Sequence, residues 1–197
     1  ILPLFVARES SVEAVNEALG RDRIILLAAQ KEASEENPNP EQIHTIGTVS
    51  MIMRMLKLPD GRVKILVQGL SRAQIKNYNR VEPPYSVNID IMDEPHQEKG
   101  LETEALMRNI QQGLEKIISF GKMIPQDLLA VLESLEDPGR FGDLIAANLG
   151  LAVNDAQELL ETIDPVDRLR KINELMQKEM EVLEMQAQIQ TQAREEM

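Results

Sequence analysis

Few residues of this 197-residue chain have the type and spacing that chemistry requires. There is no Cys, which removes thiolate nucleophiles, disulfides and Cys-based zinc sites together and is compatible with a reducing compartment. The two histidines, His44 and His96, lie far apart. Each sits beside a predicted loop without a second ligand at metal spacing, so surface positions are expected for both. Neither a G-x-x-x-x-G-K-S/T phosphate loop nor a G-x-G-x-x-G turn is present. No Ser stands in a nucleophile-elbow context. Acid pairs such as Glu35-Glu36 and Glu195-Glu196 read as solvated charge, because general acid–base work needs carboxylates held in a cleft at separated pKa values. The remaining features concern contact rather than catalysis.

Three groups of residues could make contacts. Between Gln42 and Val81 lie seven Lys and Arg (Arg54, Lys57, Arg62, Lys64, Arg72, Lys76, Arg80) and one acid, Asp60. Such a patch is a solvated strand face, an interface, or a nucleic-acid contact, with Arg62 and Lys64 as partner-facing candidates. Met51, Met53 and Met55 alternate, which places all three on one face of a strand. Flexible Met side chains suit either a core or a surface that accepts varied partners. Leu169, Ile172, Leu175, Met176, Met180, Leu183 and Met185 recur at helical spacing near the end of the chain. They belong either to a bundle helix or to a projecting coiled-coil arm, and Met176, Met180, Leu183 and Met185 are its contact candidates.

The elements that carry these residues fall into two halves. Residues 1–93 hold 11 Lys and Arg against 12 Asp and Glu, whereas residues 94–197 hold 10 against 21. The net charge of −12 is therefore carried almost wholly by the second half, and two units with different surfaces are expected. The first half is strand-rich. Leu2–Val6 is short and apolar, "RESSVEAVNEALG" is a helix capped by Ser10 or Ser11 and stopped at Gly20, and "RIILLAAQ" is a buried strand. "KEASEENPNPEQ" is a surface loop. A long strand follows from His44, bent at Gly47. Pro59-Asp60-Gly61 is the tightest turn signal in the chain. Beyond it, Val63, Ile65 and Val67 point one way while Arg62, Lys64 and Gln68 point the other, with Leu66 among them. Gly69 marks a bulge or bend, and "AQIKNY" and "YSVNIDI" supply further strands.

From Glu94 the period becomes helical. Residues 94–100 read as a linker and 101–163 as a helical bundle, in which Leu106, Ile110, Leu114 and Ile117 share a face. A break is expected at Asp137-Pro138-Gly139 and a capping box at Asn154 and Gln157. Asp164-Pro165 opens a helix over 164–197 that meets no Gly or Pro. No stretch reaches the length of a membrane span, and no leader pattern is seen. The fold class is thus α+β.

Several of these stretches resemble one family: "PLFVARESSVEAVNEAL", "ILLAAQKEA", "IGTVSMIMRMLKLPDGRVKILVQGLSRA", "DPGRFGDLIAANL" and "LLETIDPVDRLRKI". Together they are similar, in this order, to the amino-terminal domain of bacterial Lon ATP-dependent proteases. The resemblance implies a β-rich pseudo-barrel lobe similar to PUA domains, then a helical bundle, then a long helix leading to an ATPase module. It implies a non-catalytic domain that recognises unfolded or degron-bearing proteins and helps assemble a homohexamer in the cytoplasm, without a membrane. No cofactor is expected in this chain. ATP and Mg would bind in the ATPase module, whose nucleotide-binding Lys has no counterpart here, nor do the protease Ser and Lys. Family members usually begin with a further strand-forming segment, so a strand ahead of residue 1 and an open sheet edge are also expected. The competing function is a nucleic-acid-binding PUA-like module. The net charge of −12 and 3% aromatic content count against it, since counterion release needs cations and single-strand binding needs stacking platforms.

Overall fold

The computed structural model describes residues 1–96 and 98–197. The chain divides into two compact units, Ile1–Asp93 and Glu94–Met197. The first contains β1 (Leu2–Val6), α1 (Glu9–Leu19), β2 (Ile24–Leu27), β3 (Ile46–Lys57), β4 (Val63–Arg80) and β5 (Ser86–Met92). The second contains α2 (Leu101–Ser119), α3 (Asp127–Ser134), α4 (Pro138–Asn148), α5 (Val153–Glu161) and α6 (Pro165–Glu195). This is the α+β class that the sequence predicts. Among the described residues, no helix is long and apolar enough to cross a membrane.

The Pro59-Asp60-Gly61 turn sets the register of the β lobe. Gly61 has φ +88°, a conformation a side chain resists. The Leu58 N–H donates to the Arg62 carbonyl at 2.9 Å, and Asp60 Oδ1 accepts from the Arg62 N–H at 3.1 Å. From the turn, β3 and β4 pair antiparallel along almost their whole length. Near the turn β4 also pairs with β1; farther away it pairs with β5, and β3 pairs with β2. Between these halves, register shifts leave Leu70 of β4 and Met53 of β3 without a partner. An extra residue of this kind bends a strand and increases its twist, which folds the sheet into the pseudo-barrel lobe. The bulge at Leu70 directly follows Gly69, but β4 continues through it as one 18-residue strand, so "AQIKNY" is not a separate element. Val63, Ile65 and Val67 do point inward, against Ile52 and against Val15 and Ala18 of α1.

Two helix starts differ from expectation. α1 begins at Glu9, with Arg8 as N-cap and no side-chain cap, so Ser10 and Ser11 lie inside its first turn. α5 begins at Val153 without a side-chain cap. Asn154 is therefore helical, and the Gln157 side chain bonds Glu161 at 3.1 Å instead of closing a capping box. Asp137-Pro138-Gly139 both ends one helix and starts the next: Asp137 caps α4, and Pro138 occupies its first turn.

The helical unit packs around Ile110, Leu114 and Ile117 of α2, Phe141 and Ile145 of α4, and Leu169 of α6. Its polar centre is Arg168, only 1% exposed. The guanidinium pairs with Glu94, lies 3.3 Å from Asp143, and donates to the carbonyls of Thr162 and Ile163 at 3.1 and 3.3 Å. Gly139 makes room for it: a Cβ there would stand 2.5 Å from Glu94 Oε2 and 3.1 Å from Arg168 Nη2. Glu94, the first residue of the expected linker, is thus tied into the helical unit.

Candidate functional site

An antiparallel sheet with one face on a core normally shows water a polar face. The β1–β4–β3 half of this sheet does not. Directly opposed residues of an antiparallel pair project to the same side. Leu2, Leu4 and Val6 on β1 face Val67, Ile65 and Val63 on β4, which are core. The opposite face therefore carries the alternate positions. One row across the strands is Phe5, Lys64 and Leu56; the next is Pro3, Leu66 and Arg54. Met51, opposite Gln68, extends the surface. Phe5 is 63% exposed and Leu56 60%, while Leu66 and Met51 are half-buried. The result is an open apolar face with two cations and no acid in its rows.

Its charges are arranged by local contacts. Lys64 Nζ lies 5.6 Å from the centre of the Phe5 ring, a cation–π distance that holds the ring against β4. Arg62, predicted to face a partner, turns back to its own hairpin, with Nε 2.6 Å from Asp60 Oδ2. The Arg62 backbone N–H, and then its guanidinium, hold the Asp60 carboxyl below its ordinary pKa. Arg54 and Lys64 are accordingly the cations of this face.

Met51, Met53 and Met55 do not share a face, as strict alternation predicts they would. Met53 is the bulged residue, 39% exposed, and the extra position inverts the parity that follows. Met51 thus lies on the outer face, whereas Met55 stands opposite Ile65 and packs on the core. Arg23, at φ +66°, supports the bulge: its guanidinium donates to the Ile52 and Met53 carbonyls at 3.5 and 3.3 Å.

In the helical unit the candidates on α6 separate by depth. Met176 is 1% exposed and is a core residue, its Cε reaching to within 3.2 Å of where a Cβ at Gly113 would stand. Met180 and Leu183 pack half-buried against the same core. Met185 is 56% exposed, on a stripe with Val182 and Ile189. Phe5, Leu56 and Arg168 are not among the residues predicted from sequence, and Arg54 is foreseen there only as one of the seven cations of the basic patch. Leu66, an apolar residue amid Arg62, Lys64 and Gln68, is the signal that could have found the outer face. For Arg168 the signal is its spacing, one residue before Leu169 and four before Ile172 on the buried face of α6. His44 is half-buried and His96 exposed; among the described residues, no group of three or more His, Asp or Glu is placed to hold a metal.

The chain is an α+β domain whose β lobe carries an open, largely apolar sheet face. The chain belongs to the Lon family: residues 1–178 match the substrate-binding domain of ATP-dependent protease La (LON). It is 55% identical over 198 residues to the Lon protease of Geobacter metallireducens, covering all of this chain and 24% of that protein. The Lon protease of Trichlorobacter lovleyi is 53% identical, with the same coverage. The chain therefore spans about a quarter of the length of the curated relatives it matches. Among solved structures, the N-terminal domain of Mycobacterium avium complex Lon protease superposes with a TM-score of 0.68 at 19% identity, over 89% of this chain and 90% of that one. A Lon N-terminal domain protein from Xanthomonas campestris gives 0.53 at 17%, over 87% and 86%. At these identities the two structures show a shared fold.

Proposed function

We propose that this chain is the client-recognition part of a Lon-type protease, itself non-catalytic, and that unfolded or degron-bearing proteins dock on the outer β1–β4–β3 face. The observation that carries this reading is the pair of open rows, Phe5–Lys64–Leu56 and Pro3–Leu66–Arg54. Large apolar side chains held in water on a regular sheet cost solvation unless a partner covers them, and such surfaces mark interaction sites. A single docking of this kind is weak. Copies joined in the cytoplasmic homohexamer of the parent protein would raise avidity through effective concentration. In that parent, ATP and Mg would serve the ATPase module, toward which α6 would lead; the exposed Met185 and Ile189 on α6 support reading its end as a projecting arm.

Nucleic-acid binding remains the second reading because Arg54 and Lys64 lie on the same face. A net charge of −12 opposes it. The deciding experiment is a fluorescence anisotropy titration of a labelled, permanently unfolded protein with this chain, alongside the native form of the same protein. Binding of the unfolded form alone is expected. Equal binding of both forms, or of neither, contradicts the proposal.

A further inference from the structure

From the composition of the outer sheet face, we propose that its preferred ligands are extended polypeptide segments in which apolar side chains are interspersed with Asp or Glu. This rests on the reading of that face as the client site, and adds to it a rule for which segments are taken.

The face has two kinds of group, placed alternately. Along β4, Lys64 and Leu66 project outward two residues apart, and on β3 the outward residues opposite them are Leu56 and Arg54. An apolar and a cationic residue therefore diagonally alternate: Lys64 beside Leu56, Leu66 beside Arg54. Phe5 closes the Lys64 row and Met51 lies beyond Arg54. An extended ligand presents side chains to one side at every second residue, the same repeat as the sheet below it. A ligand with apolar groups at some of these positions and carboxylates at others meets both kinds of group in register. One that is uniformly apolar leaves the ammonium and guanidinium desolvated without a partner, which is costly. One that carries Lys or Arg meets like charge.

The outer rows contain no acid to neutralise these cations. Arg62, by contrast, is already paired with Asp60. The ammonium of Lys64 lies over the face of the Phe5 ring, a contact that uses none of its hydrogen-bond donors and so leaves them for a carboxylate. The chain as a whole carries −12, so a bare polyanion is repelled at long range. Apolar contact must supply part of the binding before two local cations can discriminate. This favours an acidic apolar peptide over a nucleic acid, whose charge sits on every phosphate.

The test uses three labelled peptides of equal length with Ser at every second position: at the remaining positions, which share one side of an extended chain, the first has apolar residues and Glu in turn, the second apolar residues and Lys in turn, and the third Ser and Glu in turn. A single-stranded oligonucleotide and the unfolded protein are titrated in parallel. The apolar–Glu peptide should bind about tenfold more tightly than the apolar–Lys peptide at low salt, with the gap narrowing as salt rises. Arg54→Glu with Lys64→Glu should reverse the order, and Arg54→Gln with Lys64→Gln should erase it, with melting temperatures held. Equal affinities for the two apolar peptides, while the unfolded protein still binds, overturn the charge rule and leave client capture standing. Tighter binding of the Ser–Glu peptide or of the oligonucleotide overturns it in favour of simple anion binding. Failure of every peptide and of the unfolded protein overturns both readings.

Discussion

The β lobe and the helical unit dispose of their apolar residues differently. The helical unit turns one stripe of each helix inward and even spends a buried position on a cation, Arg168, held by Glu94, Asp143 and two carbonyls. Among its described residues the β lobe buries one polar residue, the small Ser50, and it places large apolar side chains on the solvent side of the sheet as well. What separates the two is that the β1–β4–β3 sheet carries large apolar side chains on both of its faces, and which residues those are depends on register.

The most severe way to break this contrast is at Arg168. Replacing it by Ala removes the buried guanidinium that Glu94, Asp143 and two carbonyls share, leaves a cavity in its place, and should cost the helical unit about 3–5 kcal/mol in chemical denaturation. An effect below about 1 kcal/mol would mean that the cluster is an ornament of a core that stands without it.

A graded version runs along α6, a helix of 31 residues. Met176→Ala should cost about 2–5 kcal/mol, as truncation of a packed core Met does, whereas Met185→Ala should stay within about 0.5 kcal/mol, as solvent-facing changes do. Equal effects at the two positions would show that the core extends farther along the helix than its exposure indicates.

The smallest effect sharpens the contrast through pH. Glu17 of α1 is bound in a two-point contact by Arg80 of β4, at 2.7 and 3.1 Å. That hydrogen bond, then the nearby positive charge, lowers the Glu17 carboxyl below its ordinary pKa, as Arg62 lowers Asp60. A lowered folded pKa gives stability that is present above the ordinary carboxylate pKa and lost as pH falls through the folded value. Both pairs lie in the β lobe and both are solvated, so the loss is slight, and Glu17→Gln should remove part of it. Thermal melts of wild type and Glu17→Gln between neutral pH and pH 3 should converge on acidification. A difference that is constant across the range contradicts the assignment.

Much of this was legible in the sequence. Pro59-Asp60-Gly61 specifies its turn by residue type, and Val63, Ile65 and Val67 reveal the inward face by simple alternation. The helical stripe of Ile110, Leu114 and Ile117 and the Asp164-Pro165 start are equally direct. The bulge at Met53 was not legible. A bulge is one residue too many in a strand, and no residue type announces it; yet it moves Met55 to the core and leaves Met51 outside. The depth of Met176 was hidden for a related reason: periodicity shows which side of a helix is apolar, but not how far the opposing helices reach along it. Arg168 was hidden because its partners, Glu94 and Asp143, lie far from it in sequence and are joined only by the fold.

The central claim is that the outer β1–β4–β3 face takes the client. Phe5→Ser with Leu56→Ser removes two exposed apolar groups without touching the core, so the melting temperature should stay unchanged. The affinity for a labelled unfolded protein should fall about tenfold, equivalent to about 1.4 kcal/mol of binding free energy. Unchanged affinity in a variant that melts like wild type would contradict the claim and move the client site off this face.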